Sequence, residues 1–125
     1  MGVAQRHRKL SVLETVLRLQ GFFRQRLLPL RISPMQAAIL LHLDRNPDCT
    51  LVDLAAALYL HPVSMGANIL VVVRRGWASK TRTNENHRIV QLGLTATGKT
   101  LAKRVKQSIR SAKAKPPSPG WRKAA

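Results

Sequence analysis

Apolar residues recur along this chain at helical spacing in five segments and at strand spacing near its two-thirds point. In the first segment, about residues 9 to 28, Leu10, Leu13, Val16, Leu17, Phe23 and Leu27 form one wide apolar face. Glu14, Arg18 and Gln25 lie on the opposite side, and Pro29 terminates the helix. Ser33-Pro34-Met35-Gln36 is a capping box with proline at the first helical position, which predicts a second helix to about Arg45, before Asn46-Pro47-Asp48 breaks it. Leu51, Leu54, Ala55 and Leu58 then repeat at i, i+3, i+4 and i+7 behind Thr50, with Asp53 three residues on, so a short capped helix ends near Tyr59. His61-Pro62 turns the chain into another helix, whose inward stripe of Met65, Ile69 and Val72 runs until Gly76 stops it.

From Trp77 the period changes to two. Strands are predicted from Trp77 to about Arg82 and from His87 to Leu94, joined by Thr83-Asn84-Glu85-Asn86, with Val90, Leu92 and Leu94 on one face and Trp77 in the wing core. A short strand near Cys49 can join them. Thr95 caps a last helix from Ala96 to about Lys113, with Leu101, Val105, Ile109 and Ala112 on one face and Lys99, Lys103, Lys106, Arg110 and Lys113 on the other. The order predicts a mainly α fold with a small β-hairpin wing (α+β), a winged helix-turn-helix between two flanking helices. The expected division is an N-terminal dimerisation helix in 1–32, a winged helix-turn-helix in 33–95, a C-terminal dimerisation helix in 96–113 and a basic tail in 114–125. Dimerisation is expected because the first apolar face is too wide for one small domain to cover. The tail, "AKPPSPGWRKAA", has the proline, small-residue and positive composition of a disordered segment.

Charge narrows the partners. The chain carries 22 Lys and Arg against 5 Asp and Glu, a net +17, and such a field attracts phosphate before any sequence is read. Its 125 residues and 45% hydrophobic content suit one small core. The single cysteine, Cys49, excludes an internal disulfide framework, suits a reducing compartment and reads as a half-buried packing thiol. The basic "RHRK" start imitates a secretion signal, but Glu14 and Arg18 interrupt its apolar stretch. No apolar run approaches the roughly 20 residues that span a bilayer. Position 6 is Arg where myristoylation wants Ser or Thr. A cytoplasmic protein without membrane association is expected.

Chemistry of catalysis is not visible. Glu14, Asp44, Asp48, Asp53 and Glu85 form no evident pair, His7, His42, His61 and His87 lack zinc-ligand spacing, and no glycine-rich phosphate loop occurs. Neither an enzyme nor a cofactor nor a metal is expected.

Three stretches resemble the MarR family of winged-helix transcription regulators over roughly residues 33 to 105. "LAAALYLHPVSM" stands where that family shows a leucine-rich helix and an Asp-Pro-Ser-like turn, and "RRGW" closes the second helix of the pair. "NHRIVQLGLTATGK" matches its Asp-x-Arg wing and Leu-Thr-x-x-Gly helix start. The resemblance implies a cytoplasmic homodimer on double-stranded DNA, with the second helix of the pair in the major groove. It places His61, Val63, Ser64, Ala67, Asn68, Arg74, Arg75, Lys80, Arg82 and Arg88 at the DNA. It places Leu10, Leu13, Val16, Leu17, Leu101, Val105 and Ile109 in the dimer interface, and allows a small aromatic ligand between the dimerisation and DNA-binding parts. In the family the wing arginine, here Arg88, can enter the minor groove.

The chain departs from the family where bases should be read. Gly66, Ala67 and Asn68 stand where polar or basic residues are usual, and Leu70, Val71 and Val73 replace commonly charged positions. Residues 1–31 sum to +6, 32–73 to −2 and 74–125 to +13, so the second helix holds no Lys or Arg before Arg74. Bidentate arginine readout of guanine is therefore missing from that helix, leaving Ser64, Asn68 and apolar contacts to thymine methyls. Asn86 replaces the motif's aspartate, removing an ion pair that would orient Arg88. The alternative is a DNA-coating winged-helix protein in which wing, last helix and tail supply the affinity. An RNA-binding protein would share the charge, but 2 Trp, 1 Tyr and 2 Phe offer no evident stacking platform.

Overall fold

The computed structural model describes residues 11–82 and 89–113. Helix α1, Val12–Leu27, starts at a reciprocal cap: the Glu14 N–H donates to Ser11 Oγ at 3.1 Å and the Ser11 N–H to Glu14 Oε1 at 2.9 Å. The Ser11 N–H on this carboxylate, helped by the Ser11 hydroxyl, holds the Glu14 carboxyl below the usual carboxylate range. The helix therefore begins later than residue 9, and Leu10 lies outside the described residues. After Leu27 the chain tightens into a 3-10 turn, Leu28–Leu30, because Pro29 cannot continue an α ladder, and leaves it through Arg31 at φ 56°.

Helix α2, Pro34–Arg45, has the expected box, with the Gln36 N–H on Ser33 Oγ and the Ser33 N–H on Gln36 Oε1, both 3.1 Å. It is the central helix, burying Ala37, Ile39, Leu40 and Leu43. Strand β1 is the pair Cys49–Thr50. Thr50 then caps α3, Leu51–Ala57, accepting the Asp53 N–H at 3.1 Å. Tyr59 turns the chain at φ 58° and α4, Pro62–Arg74, follows, burying Met65, Ile69 and Val72. Gly76, at φ 79°, ends that segment in a conformation that suits glycine.

Strands β2, Ala78–Arg82, and β3, Val90–Leu94, form the wing, and β1 joins β3, giving an antiparallel sheet ordered β1-β3-β2. Pairing runs from Ala78 with Leu94 to Arg82 with Val90, so both strands are shorter than expected, and positions 83–88 with Arg88 lie outside the described residues. Helix α5, Ala96–Lys113, packs against α1, α2 and β3. The basic tail, 114–125 with Trp121, lies outside the described residues, as do the side chains of 111–113.

Leu101 and Val105, expected in the dimer seam, are 9% and 0% exposed and belong to the protomer's own core, while Ile109 is half-buried against it. The apolar stripe of α5 has its partners in α1 and α2 of the same chain. The basic face of α5 is also less uniform than its sequence: Lys106 Nζ reaches Asp44 Oδ2 of α2 at 2.6 Å, leaving Lys99, Lys103 and Arg110 on the exposed side.

Among the described residues no single helix is long and apolar enough to cross a membrane. The pair α3 and α4 passes that test together only across a bend of 108°. Its inward side chains Leu54, Met65, Ile69 and Val72 are filled by core packing. Within α4, Gly66 is a local weakness: a Cβ there meets nothing within 4 Å. Gly66→Ala is expected to stabilise the fold by about 0.5–1 kcal/mol, because alanine loses less backbone entropy in a helix. A raised midpoint in urea with an unchanged slope would show it, and a lowered midpoint would refute it.

Candidate nucleic-acid interface

At 100° per residue, the buried side chains Met65, Ile69 and Val72 fix one side of α4, so Val63, Ala67, Leu70 and Arg74 lie along the other, flanked by Ser64 and Val71. Among the described residues nothing else covers this side. Val63 is 76% exposed, and Leu70 and Val71 are each 40% exposed. Arg74 ends the stripe as an exposed cation.

The other residues expected at the DNA divide by what already holds them. His61 caps α4, its Nδ1 accepting the Val63 N–H at 3.1 Å, with the ring exposed. Asn68 is half-buried and its Nδ2 donates to the Ser64 carbonyl at 2.9 Å. Arg75 differs from its neighbour Arg74. Its Nη1 donates to the Arg31 carbonyl at 2.7 Å and its guanidinium stands 4.8 Å over the Trp77 ring, so it ties the end of α4 to the turn after α1. That makes Arg75 a structural strut, although the sequence presents it as equivalent to Arg74.

The wing carries Lys80 and Arg82 on the same strand face as Ala78. Ala78 is buried, but the hairpin runs beyond the core and both cations are exposed. The base of the wing is fixed by Thr95, whose Oγ1 donates to the Gly76 carbonyl at 2.6 Å and accepts the Gly98 N–H at 3.0 Å. Its own N–H donates to the Trp77 carbonyl at 3.1 Å. The Leu-Thr-x-x-Gly stretch is thus the joint between α4, the wing and α5. Trp77 is half-buried there, as wing-core packing requires.

Three exposed side chains on or near the α4 face were not among the residues expected at the DNA. Leu70 and Val71 follow Val63 at i+7 and i+8, a spacing that was readable. Tyr59, 98% exposed in the turn between α3 and α4, gave no signal, because its position is set by a left-handed backbone. Cys49 is buried, its thiol donating to the Thr50 carbonyl at 3.3 Å, and burial followed by the nearby Asp53 charge pushes its pKa up. That environment suits packing rather than redox sensing. Two open clefts flank α2: about 190 Å³ beside Leu41, Lys106, Ile109 and Arg110, and about 450 Å³ between Asp44, Asp48, Gly93 and Lys99. Neither is lined by an aromatic side chain.

Two helices joined by a tight turn, then a hairpin wing paired to a short strand, define a winged-helix protein. The sequence model of the MarR family matches residues 32–89, and over that stretch the chain is similar to MarR-family winged-helix proteins. The transcriptional repressor CouR bound to a 23-mer DNA duplex is 26% identical, over 79% of this chain and 70% of that one, with a TM-score of 0.75. A cysteine-to-serine mutant of MarR from E. coli complexed with operator DNA is 21% identical, over 72% of this chain and 64% of that one, at 0.67. Reduced AbfR bound to DNA is 24% identical, over 79% and 72%, at 0.72. The chain thus spans less than two thirds of MarR in the operator complex. No curated protein sequence matches it.

Proposed function

We propose that this chain is a transcription regulator that binds double-stranded DNA as a homodimer in the cytoplasm, with α4 in the major groove and the wing against the flanking backbone. The observation that carries this reading is an α4 face left uncovered by the described residues, with exposed Arg74 at its end and Lys80 and Arg82 on the wing, in a chain of net charge +17. Phosphate contacts from such cations position a protein on the duplex, while the helix face in the groove meets bases. Relatives of the same fold solved on DNA, CouR, MarR and AbfR among them, support it.

The dimer rests on α1. Positions 12, 16, 19, 23 and 27 form one helical stripe, of which Leu27 is buried and Phe23 half-buried in the protomer, while Val12, Val16 and Leu19 are exposed. Leu13 and Leu17 beside them are 67% and 56% exposed. The stripe outruns its own protomer, and a second copy related by a two-fold axis supplies the missing cover. We assign α1 and the outer part of α5 to dimerisation, on either side of the winged unit.

Selection from random duplexes at fixed salt is the test. A regulator returns a short inverted repeat with half-site centres about one turn, roughly 34 Å, apart. Tight binding with no enriched sequence would replace this reading by a DNA-coating protein. Within the selected duplex, Lys80→Ala with Arg82→Ala is expected to weaken binding to every sequence alike. The slope of log affinity against log salt should flatten by up to about 1.8 per protomer, at about 0.9 per phosphate neutralised. An unchanged slope removes the wing from the interface.

A further inference from the structure

We propose that α4 reads its site through methyl groups, so that the half-site is one presenting thymine C5-methyls along the major groove. The proposal rests on the DNA-binding reading above and goes further, to the chemistry of the bases. The outward stripe of α4 is Val63, Ala67 and Leu70, with Val71 beside it, before Arg74 is reached. Part of the polar capacity beside the stripe is taken up within the protein, with the Ser64 side chain left exposed at its flank. Asn68 Nδ2 is bonded to the Ser64 carbonyl, His61 Nδ1 to the Val63 N–H, and Arg75 to the Arg31 carbonyl and the Trp77 face.

Along the outward stripe itself, what precedes Arg74 is a strip of methyl groups. From Val63 to Leu70 it runs about 10 Å at 1.5 Å per residue, the length of about three base-pair steps. The major-groove edge of a G·C pair offers acceptors at N7 and O6 and a donor at N4, all of which valine and leucine would strip of water without replacing. An A·T pair places the C5-methyl of thymine in the same groove, the apolar group there that such side chains can match. A protein partner fits this strip less well. Arg74, Lys80 and Arg82 are exposed around it and the chain as a whole is strongly cationic, so the complementary surface is polyanionic at its edges and methyl-bearing at its centre.

The probe is the best duplex recovered from the random selection, synthesised once with thymine and once with deoxyuridine throughout. This exchange removes the methyls and leaves the major-groove hydrogen-bonding edges in place. Fluorescence anisotropy at fixed salt should show the uracil duplex binding about fourfold more weakly for each methyl that α4 covers. The Val63→Ala, Leu70→Ala double variant, altered only at exposed positions, should bind both duplexes with a ratio near one. Equal wild-type affinity for the two duplexes overturns the proposal while leaving DNA binding intact. A ratio that persists in the double variant also overturns it, because the methyl effect would then act through duplex shape. Failure to bind either duplex overturns the DNA-binding reading itself.

Discussion

Gly98→Ala is expected to cost about 3 kcal/mol and to lower the melting temperature by roughly 10 °C, as overpacking against unyielding backbone does in a domain of this size. A Cβ at this position would overlap the Trp77 carbonyl oxygen, with the carbonyl carbon 2.9 Å and Leu94 Cδ2 3.3 Å away. The obstacle is main chain held in place. The Trp77 carbonyl accepts the Thr95 N–H, and Thr95 Oγ1 bridges the Gly76 carbonyl and the Gly98 N–H. Relief would require the first turn of α5 to lift from the junction of α4 and the wing, opening the core around Leu101 and Ala102. Gly66→Ala is the control, since the same substitution meets open space there and carries the opposite expected sign. Calorimetry showing Gly98→Ala within 2 °C or so of the parent would mean that the joint yields easily, and that its close approach is not structural.

The caps at Ser33, Thr50 and Thr95 and the buried stripes of α2, α3 and α4 were legible because each depends on residues three or four positions apart. Ser11 with Glu14 was equally local, but it sits inside an apolar run that conceals where the helix begins. What the sequence could not place were contacts across the chain. Lys106 and Asp44 lie 62 positions apart, so the last helix looked like an unpartnered basic face. Arg74 and Arg75 are adjacent cations with opposite roles, because one helical step of 100° turns the second toward a carbonyl 44 positions away. Leu101 and Val105 illustrate the same limit on the apolar side. Periodicity identifies a buried face without saying whether the covering atoms belong to the same chain. For DNA readout, local pattern revealed the missing cations of α4, but that Asn68 is turned back on Ser64 needed coordinates.

Leu13→Asp with Leu17→Asp is expected to convert the proposed dimer to a monomer while leaving each protomer folded. Both side chains are exposed and contribute nothing to the protomer's core, so two carboxylates there cost little in the isolated chain. In a dimer they would be buried, unpaired and close to their symmetry mates, which association cannot absorb. Substituting Leu101 or Val105 would be uninformative, because removing either opens a cavity and unfolds the protomer before any interface is tested. Losing the partner also removes the second α4 from the duplex. Affinity for an inverted repeat should fall by about 10² or more as simultaneous engagement of two half-sites is lost, while affinity for an isolated half-site changes little. Light scattering at micromolar concentration, circular dichroism and anisotropy on full and half sites separate these effects. A variant that remains dimeric would move the interface away from α1, and a monomer that keeps full affinity for the repeat would show that the two half-sites are bound independently.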